Sequence, residues 1–238
     1  MANDLLVILC STVPRTDPRS GTMGLYLDQL TTAGIETHVE TLDHVPAADG
    51  GSPGNTAFSI RLHRKFCNQF AHYERLILSD AWDVTFYGSH EDVIRKIPMD
   101  HCLLGAAKEY YPEQGRRHLI VQGGTLWNHA NGGLLSGTPE NILKLADTME
   151  RHPLYSPTMA NQGMHNILLE DEVYARDLDR TTTLFFCLFD GYPELDFENG
   201  LPVNTLCKTA PSFIHANGHW PTDEMYAKRE RSLAKETT

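Results

Sequence analysis

Apolar and polar positions alternate along this chain in two rhythms. Residues 4–12, DLLVILCST, make a continuous apolar run, the pattern of a strand covered on both faces. GLYLDQLTTAG (Gly24 to Gly34) places Leu25, Leu27 or Asp28, and Leu30 at helical intervals and stops at a glycine; IETHVETL then alternates as a second strand. This strand–helix–strand opening predicts a βαβ unit and a mainly parallel sheet. Next, IRLHRKFCNQFAHYE predicts an amphipathic helix with Ile60, Leu62, Phe66 and Phe70 toward the core, and RLILSD a third buried strand. SHEDVIRKI reads as a helix capped by Ser89 with Asp92 in its first turn, and CLLGAA as another strand. NGGLLSG predicts a short strand, followed by a helix capped near Thr138 with Pro139 at its first position. GMHNILLEDEV reads as a helix, TTTLFFCLFD as β-rich, and APSFIHANGHW as a last strand with a polar end.

A chain of 238 residues can bury a full core. It has no internal repeat, low-complexity tract or clear boundary. The expectation is one α/β domain over 1–238, with a flexible tail from about residue 226. No apolar run reaches membrane-spanning length, and the first apolar patch follows Asp4 without a basic lead, so it reads as a strand rather than a signal peptide. Cys10, Cys67, Cys102, Cys187 and Cys207 are scattered and show no C-x-x-C spacing, which fits reduced thiols in a cytoplasmic protein. The formal net charge of −11 argues against broad nonspecific binding to nucleic acid. Local basic faces remain at Arg61, His63, Arg64 and Lys65, and at Arg116, Arg117 and His118, although solvated surface charge is the simpler reading of each.

The chemistry begins at LILSDAWDVTFYGS. Asp80 ends an apolar run, and Asp83 returns a second carboxylate after a two-residue turn. Ligands of open α/β sheets gather at the carboxyl ends of strands. Two close carboxylates repel unless a cation lies between them or one takes a proton. Trp82 between them offers a flat face for a base or ribose. D-x-x-D alone is a weak signal, since strand-end acids also make turns and caps.

More of the chain supports the sharper reading. RLILSDAWDVTFYGSHEDVIRKI resembles the segment carrying the metal-binding aspartates in the glycosyltransferase domain of procollagen lysyl hydroxylases and related collagen galactosyltransferase-like enzymes. Upstream, GGSPGNTAFSIRLHRKF is similar to that family's glycine-rich loop and basic helix. Downstream, NGGLLSG resembles its N-S-G-G-x-x-G element beneath the donor sugar, and PSFIHANGHW its P-x-x-I-H-x-N-G segment with a ligand histidine. The four motifs keep the family's order over most of the chain.

The resemblance implies a GT-A-like (Rossmann-like) fold with a mixed, mainly parallel central sheet flanked by helices. It implies a UDP-sugar donor and Mn²⁺ or Mg²⁺ held by Asp80, Asp83 and His215, a ligand mixture that suits such an ion. Thr12, Val13, Trp82, Asp80, Arg61, Asn131, Gly132, Asn217 and Gly218 would then bind the donor. Taken alone, His215 reads as a core histidine and Asn131–Gly132 as a turn. One departure matters: where the family has D-D-Q, this chain has Asn161 and Gln162, and an asparagine can orient a hydroxyl but cannot be a general base. Together with these two, His165 and Asp190 complete the candidate catalytic set; Glu170 and Asp171 read as a solvated helix end.

The acceptor implied is a hydroxyl, either a hydroxylysine-type protein residue or a hydroxymethylated pyrimidine in DNA, as for small free-standing transferases of viruses. Two other readings compete: a non-catalytic UDP-sugar-binding module, and a metal-dependent phosphohydrolase or nucleotidyltransferase. No membrane partner is expected.

Overall fold

The computed structural model describes residues 3–11, 20–42, 55–108, 127–169, 177–188, 194–216 and 222–234. In chain order the elements are β1 (Leu5–Ser11), α1 (Ser20–Thr32), β2 (Glu36–Thr41), α2 (Thr56–Gln69), β3 (Arg75–Asp80), β4 (Val84–Phe86), α3 (His90–Lys96) and β5 (Leu103–Ala107). There follow β6 (His129–Gly137), α4 (Pro139–Arg151), α5 (Asn161–Leu169), β7 (Phe185–Cys187), β8 (Leu195–Glu198), β9 (Leu201–Asn204), β10 (Phe213–His215) and α6 (Thr222–Ala234).

The central sheet has the order β2-β1-β3-β6-β5. β2, β1 and β3 are parallel, and β6 runs against both β3 and β5. Four of the five strands therefore point one way, as the opening βαβ pattern predicts. The unbroken apolar run of β1 serves both faces. Leu5, Val7 and Leu9 join Met23, Tyr26 and Leu30 of α1, whereas Leu6 and Ile8 join Phe66 of α2, Leu145 of α4 and Ile167 of α5. Side chains of successive strand residues leave opposite faces, so a strand covered twice must be apolar throughout. Each such leucine or isoleucine contributes about 1.5–3 kcal/mol by leaving water.

Several local signals act as read. Ser89 Oγ accepts from Asp92 N–H at the start of α3, and Thr138 accepts from Asn141 N–H at the start of α4. α1 closes where Gly34 takes a φ of 71° and Ile35 N–H reaches back to Leu30 O at 3.0 Å, a left-handed cap that glycine adopts without cost. The helix begins four residues earlier than the apolar spacing predicts.

Two features escape the sequence pattern. The first is the joining of β4, β10 and β7 into a second sheet, β4-β10-β7: β7 and β10 lie in the runs read as β-rich and as a last strand, but three-residue strands show neither a period nor their partners. The β8–β9 hairpin turns on Asn199 (φ 53°) and Gly200 (φ 74°), the asparagine–glycine pair that a tight hairpin demands. α6 lies on that hairpin, with Lys228 Nζ donating to Leu195 O and Arg229 Nε to Gly200 O; residues 226–234 of the expected tail belong to it. Among the described residues no helix is long and apolar enough to cross a membrane.

Candidate metal centre

β3 delivers Asp80 at its carboxyl end, beside the carboxyl end of β1, where Cys10 stands opposite it. The turn that follows is held from below by one face of α1. Thr22 Oγ1 donates to Trp82 O, Tyr26 OH lies 3.0 Å from Ser79 Oγ, and Gln29 Oε1 accepts from Phe86 N–H at 3.0 Å. These positions, spaced four and three apart, lie on one side of a helix. Ser79 Oγ also donates to Asp80 O at 2.7 Å. The turn thus has a fixed shape, and Asp83 emerges from it directly before β4.

β4 pairs antiparallel with β10, placing His215 opposite Val84, and Ala216 N–H donates to Asp83 O at 2.7 Å. His215 Nε2 then lies 3.1 Å from Asp83 Oδ2 and 3.3 Å from Asp80 Oδ2. The three side chains offer ligand atoms all within 4.8 Å of one another. His215 and Asp83 are almost wholly enclosed, whereas the Asp80 side chain keeps 47% of its surface. The group is accordingly open on the Asp80 side.

Electrostatics favour a cation here. Burial alone would keep the His215 imidazole neutral, yet Asp83 and then Asp80 outweigh it and raise its pKa well above the ordinary histidine value. Two carboxylates and one imidazole form a set that a hard or borderline divalent ion accepts.

β6 forms the wall opposite. Its pairing with β5 shifts between Leu104 and Gly105, whose partners are Leu135 and Asn131, so Gly132, Gly133 and Leu134 bulge out of the ladder. The bulge brings Gly133 against the group: a Cβ there would lie 2.4 Å from His215 Cε1 and 2.6 Å from Asp80 Oδ2. Asn131 Oδ1 stands 2.9 Å from His215 Nδ1 and accepts from Gly133 N–H, also at 2.9 Å. Gly132 N–H donates to Gln162 Oε1 at 3.2 Å, and a Cβ on Gly132 would lie 3.5 Å from Asn161 Nδ2. The start of α5 therefore reaches the same wall.

No protein-family model and no curated protein matches the chain. Among solved structures it is similar to a glycosyltransferase involved in the glycosylation of the major capsid of PBCV-1, with a TM-score of 0.51 and 13% identity over 97% of this chain and 99% of that one. The two share a GT-A-like fold.

Within that fold, the residues singled out from sequence fall into three sets. Asp80, Asp83 and His215 converge, with Trp82 half-buried in the turn between the acids. Asn131, Gly132, Asn161 and Gln162 line the adjoining wall. Arg61 lies on the exposed face of α2 with its guanidinium over the Phe58 ring, and His165 is 2% exposed beside His63. Thr12, Val13, Asp190, Asn217 and Gly218 lie outside the described residues, as do Glu170, Asp171, the Arg116–His118 cluster and most of the glycine-rich loop. Gly133 and the α1 face Thr22, Tyr26 and Gln29 carry the geometry but were not singled out. The doubled glycine in NGGLLSG is a signal for the first; the three- and four-residue spacing of the second is visible only once its target is known.

Proposed function

We propose that this chain is a metal-dependent glycosyltransferase, a single GT-A-like unit over 1–238 that transfers a sugar from a UDP-sugar to a hydroxyl acceptor. The observation that carries the reading is the convergence of Asp80, Asp83 and His215 at the carboxyl end of β3, in a fold shared with a glycosyltransferase. The likeness to the lysyl hydroxylase transferase domain rests on the four motifs in the sequence.

In this reading Asp80, Asp83 and His215 hold Mn²⁺ or Mg²⁺. The bound ion supplies Lewis-acid stabilisation of charge on the leaving diphosphate. Trp82, between the two acids, packs against the nucleoside. Asn131 and Gly132 form the floor beneath the donor, and Arg61, Thr12, Val13, Asn217 and Gly218 complete its surroundings. Asn161 and Gln162 orient a sugar or acceptor hydroxyl by hydrogen bonds; neither can take its proton. The structural neighbour is involved in glycosylating a major capsid, which favours a protein hydroxyl as acceptor over hydroxymethylated DNA. Five free thiols fit work in a reducing cytoplasm.

The test is incubation with a panel of UDP-sugars and Mn²⁺, in the presence of hydroxylysine peptides or hydroxymethylated DNA, reading UDP release and acceptor mass. Product should fall by at least about 100-fold in Asp83→Asn, because the ion's charge stabilisation is worth several kcal/mol. UDP binding without release from any donor would instead support a non-catalytic module, the reading that the missing acid at Asn161 favours. Phosphoester hydrolysis without sugar transfer would identify a phosphohydrolase.

A further inference from the structure

We infer that Asn131 is a positioning residue that fixes the imidazole of His215 with its Nδ1 protonated and its Nε2 turned toward Asp80 and Asp83. The inference deepens the metal reading above and rests on it only for the ion, not for the hydrogen bonds.

Three observations carry it. The Asn131 atom facing both partners is an oxygen, because one of those partners is the backbone N–H of Gly133, at 2.9 Å, and a backbone N–H can only donate. That fixes which way the amide points, a question that distance alone leaves open for an asparagine. The same oxygen stands 2.9 Å from His215 Nδ1. An acceptor cannot face a bare ring nitrogen at that distance, so Nδ1 carries the proton. The other nitrogen is then the one left to bind an ion. That nitrogen, Nε2, is the one 3.1 Å from Asp83 Oδ2 and 3.3 Å from Asp80 Oδ2.

Two carboxylates facing Nε2 demand a positive centre between them, either a proton on the ring or a bound ion. Asn131 thus directs Nε2 and both carboxylates at one place before any ion arrives. Asn131 is itself buried, at 5% exposure, as is His215 at 4%, so the ring has little freedom to turn away. The bulge in β6 is what makes the arrangement possible. It brings Asn131, opposite Gly105, and Gly133, two residues on, to the same ring. In this role Asn131 acts on His215, in the manner of outer partners that orient metal-bound histidines.

The test uses the full chain with ¹⁵N-labelled histidine, measured without metal and with Mg²⁺, together with calorimetric titration of Mn²⁺. In the unmutated protein the His215 Nδ1–H should be visible and slow to exchange in both states. Asn131→Leu, similar in size and without an acceptor, should lose that slow signal and weaken Mn²⁺ binding by about 10- to 100-fold. Asn131→Asp, which keeps the acceptor, should retain both the signal and near-normal affinity. An unprotonated Nδ1 in the unmutated protein would overturn the assignment. So would Asn131→Leu with unchanged spectrum and affinity, or Asn131→Asp failing as completely as the leucine variant. Should the leucine variant not fold, the unmutated spectrum and the aspartate variant still decide. If Nδ1–H depends on Asn131 but the unmutated protein binds neither ion, the metal reading falls and the role of Asn131 toward His215 stands.

Discussion

Gly133 stands where a side chain has no room. Among the described glycines Gly34 and Gly200 take a left-handed φ and Gly133 does not, so the demand here is for space and not for conformational freedom. A methyl group would press on His215 Cε1 at 2.4 Å and on Asp80 Oδ2 at 2.6 Å. His215 cannot retreat, because β4 and β7 pair with β10 on either side. Asp80, on a half-open side chain, can rotate outward. Gly133→Ala is therefore expected to displace Asp80 and cost about 1–3 kcal/mol of stability from overpacking. Mn²⁺ affinity should fall by at least about 10-fold, the size of effect seen when ligand geometry is disturbed. Titration calorimetry and denaturant unfolding on the same variant check both, and unchanged affinity would mean that the bulge relaxes without moving the acids. At this scale the sequence displays the residue types, including the doubled glycine. Which of the two touches the site follows only from the register of β6.

Helix α1 holds the loop that carries the acids. Tyr26 is fully buried, and its hydroxyl meets Ser79 Oγ just before Asp80. Burial pushes its phenol pKa up, so it stays a neutral hydrogen-bonding group at any ordinary pH. Tyr26→Phe keeps the ring packed edge-on against Phe213 of β10 and removes only the hydroxyl. The expected cost is about 1 kcal/mol, the net worth of one buried hydrogen bond, read from urea unfolding. A loss several times larger would show that the turn from Asp80 to Asp83 depends on this contact as a whole. The elements themselves divide by length. β1, β3, α3 and α4 are legible because their apolar period or caps extend over enough residues. β7 and β10 are legible only as a β-rich run and a last strand, and β4 not at all, since three residues cannot display a period and their pairing partners are distant in sequence.

For the molecule as a whole, two histidines tie acid stability to the seam between α2 and α5. His63 and His165 are 6% and 2% exposed, and the Nδ1 atom of each has no hydrogen-bond partner among the described residues. Burial lowers the pKa of His63 to about 4. Burial, and then the nearness of His63, lowers that of His165 to about 3. In the unfolded chain both take a proton near pH 6.5, before the folded state does. The stability held by their neutral forms is thus fully present above pH 6.5 and is lost as pH falls from there toward 4 and then 3. Every tenfold loss of proton affinity on folding corresponds to about 1.4 kcal/mol, so the combined penalty at low pH is several kcal/mol. Unfolding free energy should decline steadily through this window, and His63→Gln with His165→Gln should flatten the decline. An equally steep curve in the double variant would assign the acid sensitivity to other groups.

The sequence by itself determines the α/β class, the order of the longer elements, the helix caps and the presence of two acids at a strand end. Those features are local: they depend on side-chain period, on turn chemistry and on neighbours a few residues away. Only the tertiary structure decides that His215 meets Asp83 across 132 positions, that Asn131 faces the imidazole, and that Gly133 leaves space for both. Such contacts come from strand pairing and from a bulge in β6. Neither leaves a periodic trace, because chain closure over long separations is set by how the whole core packs and not by any one segment's pattern.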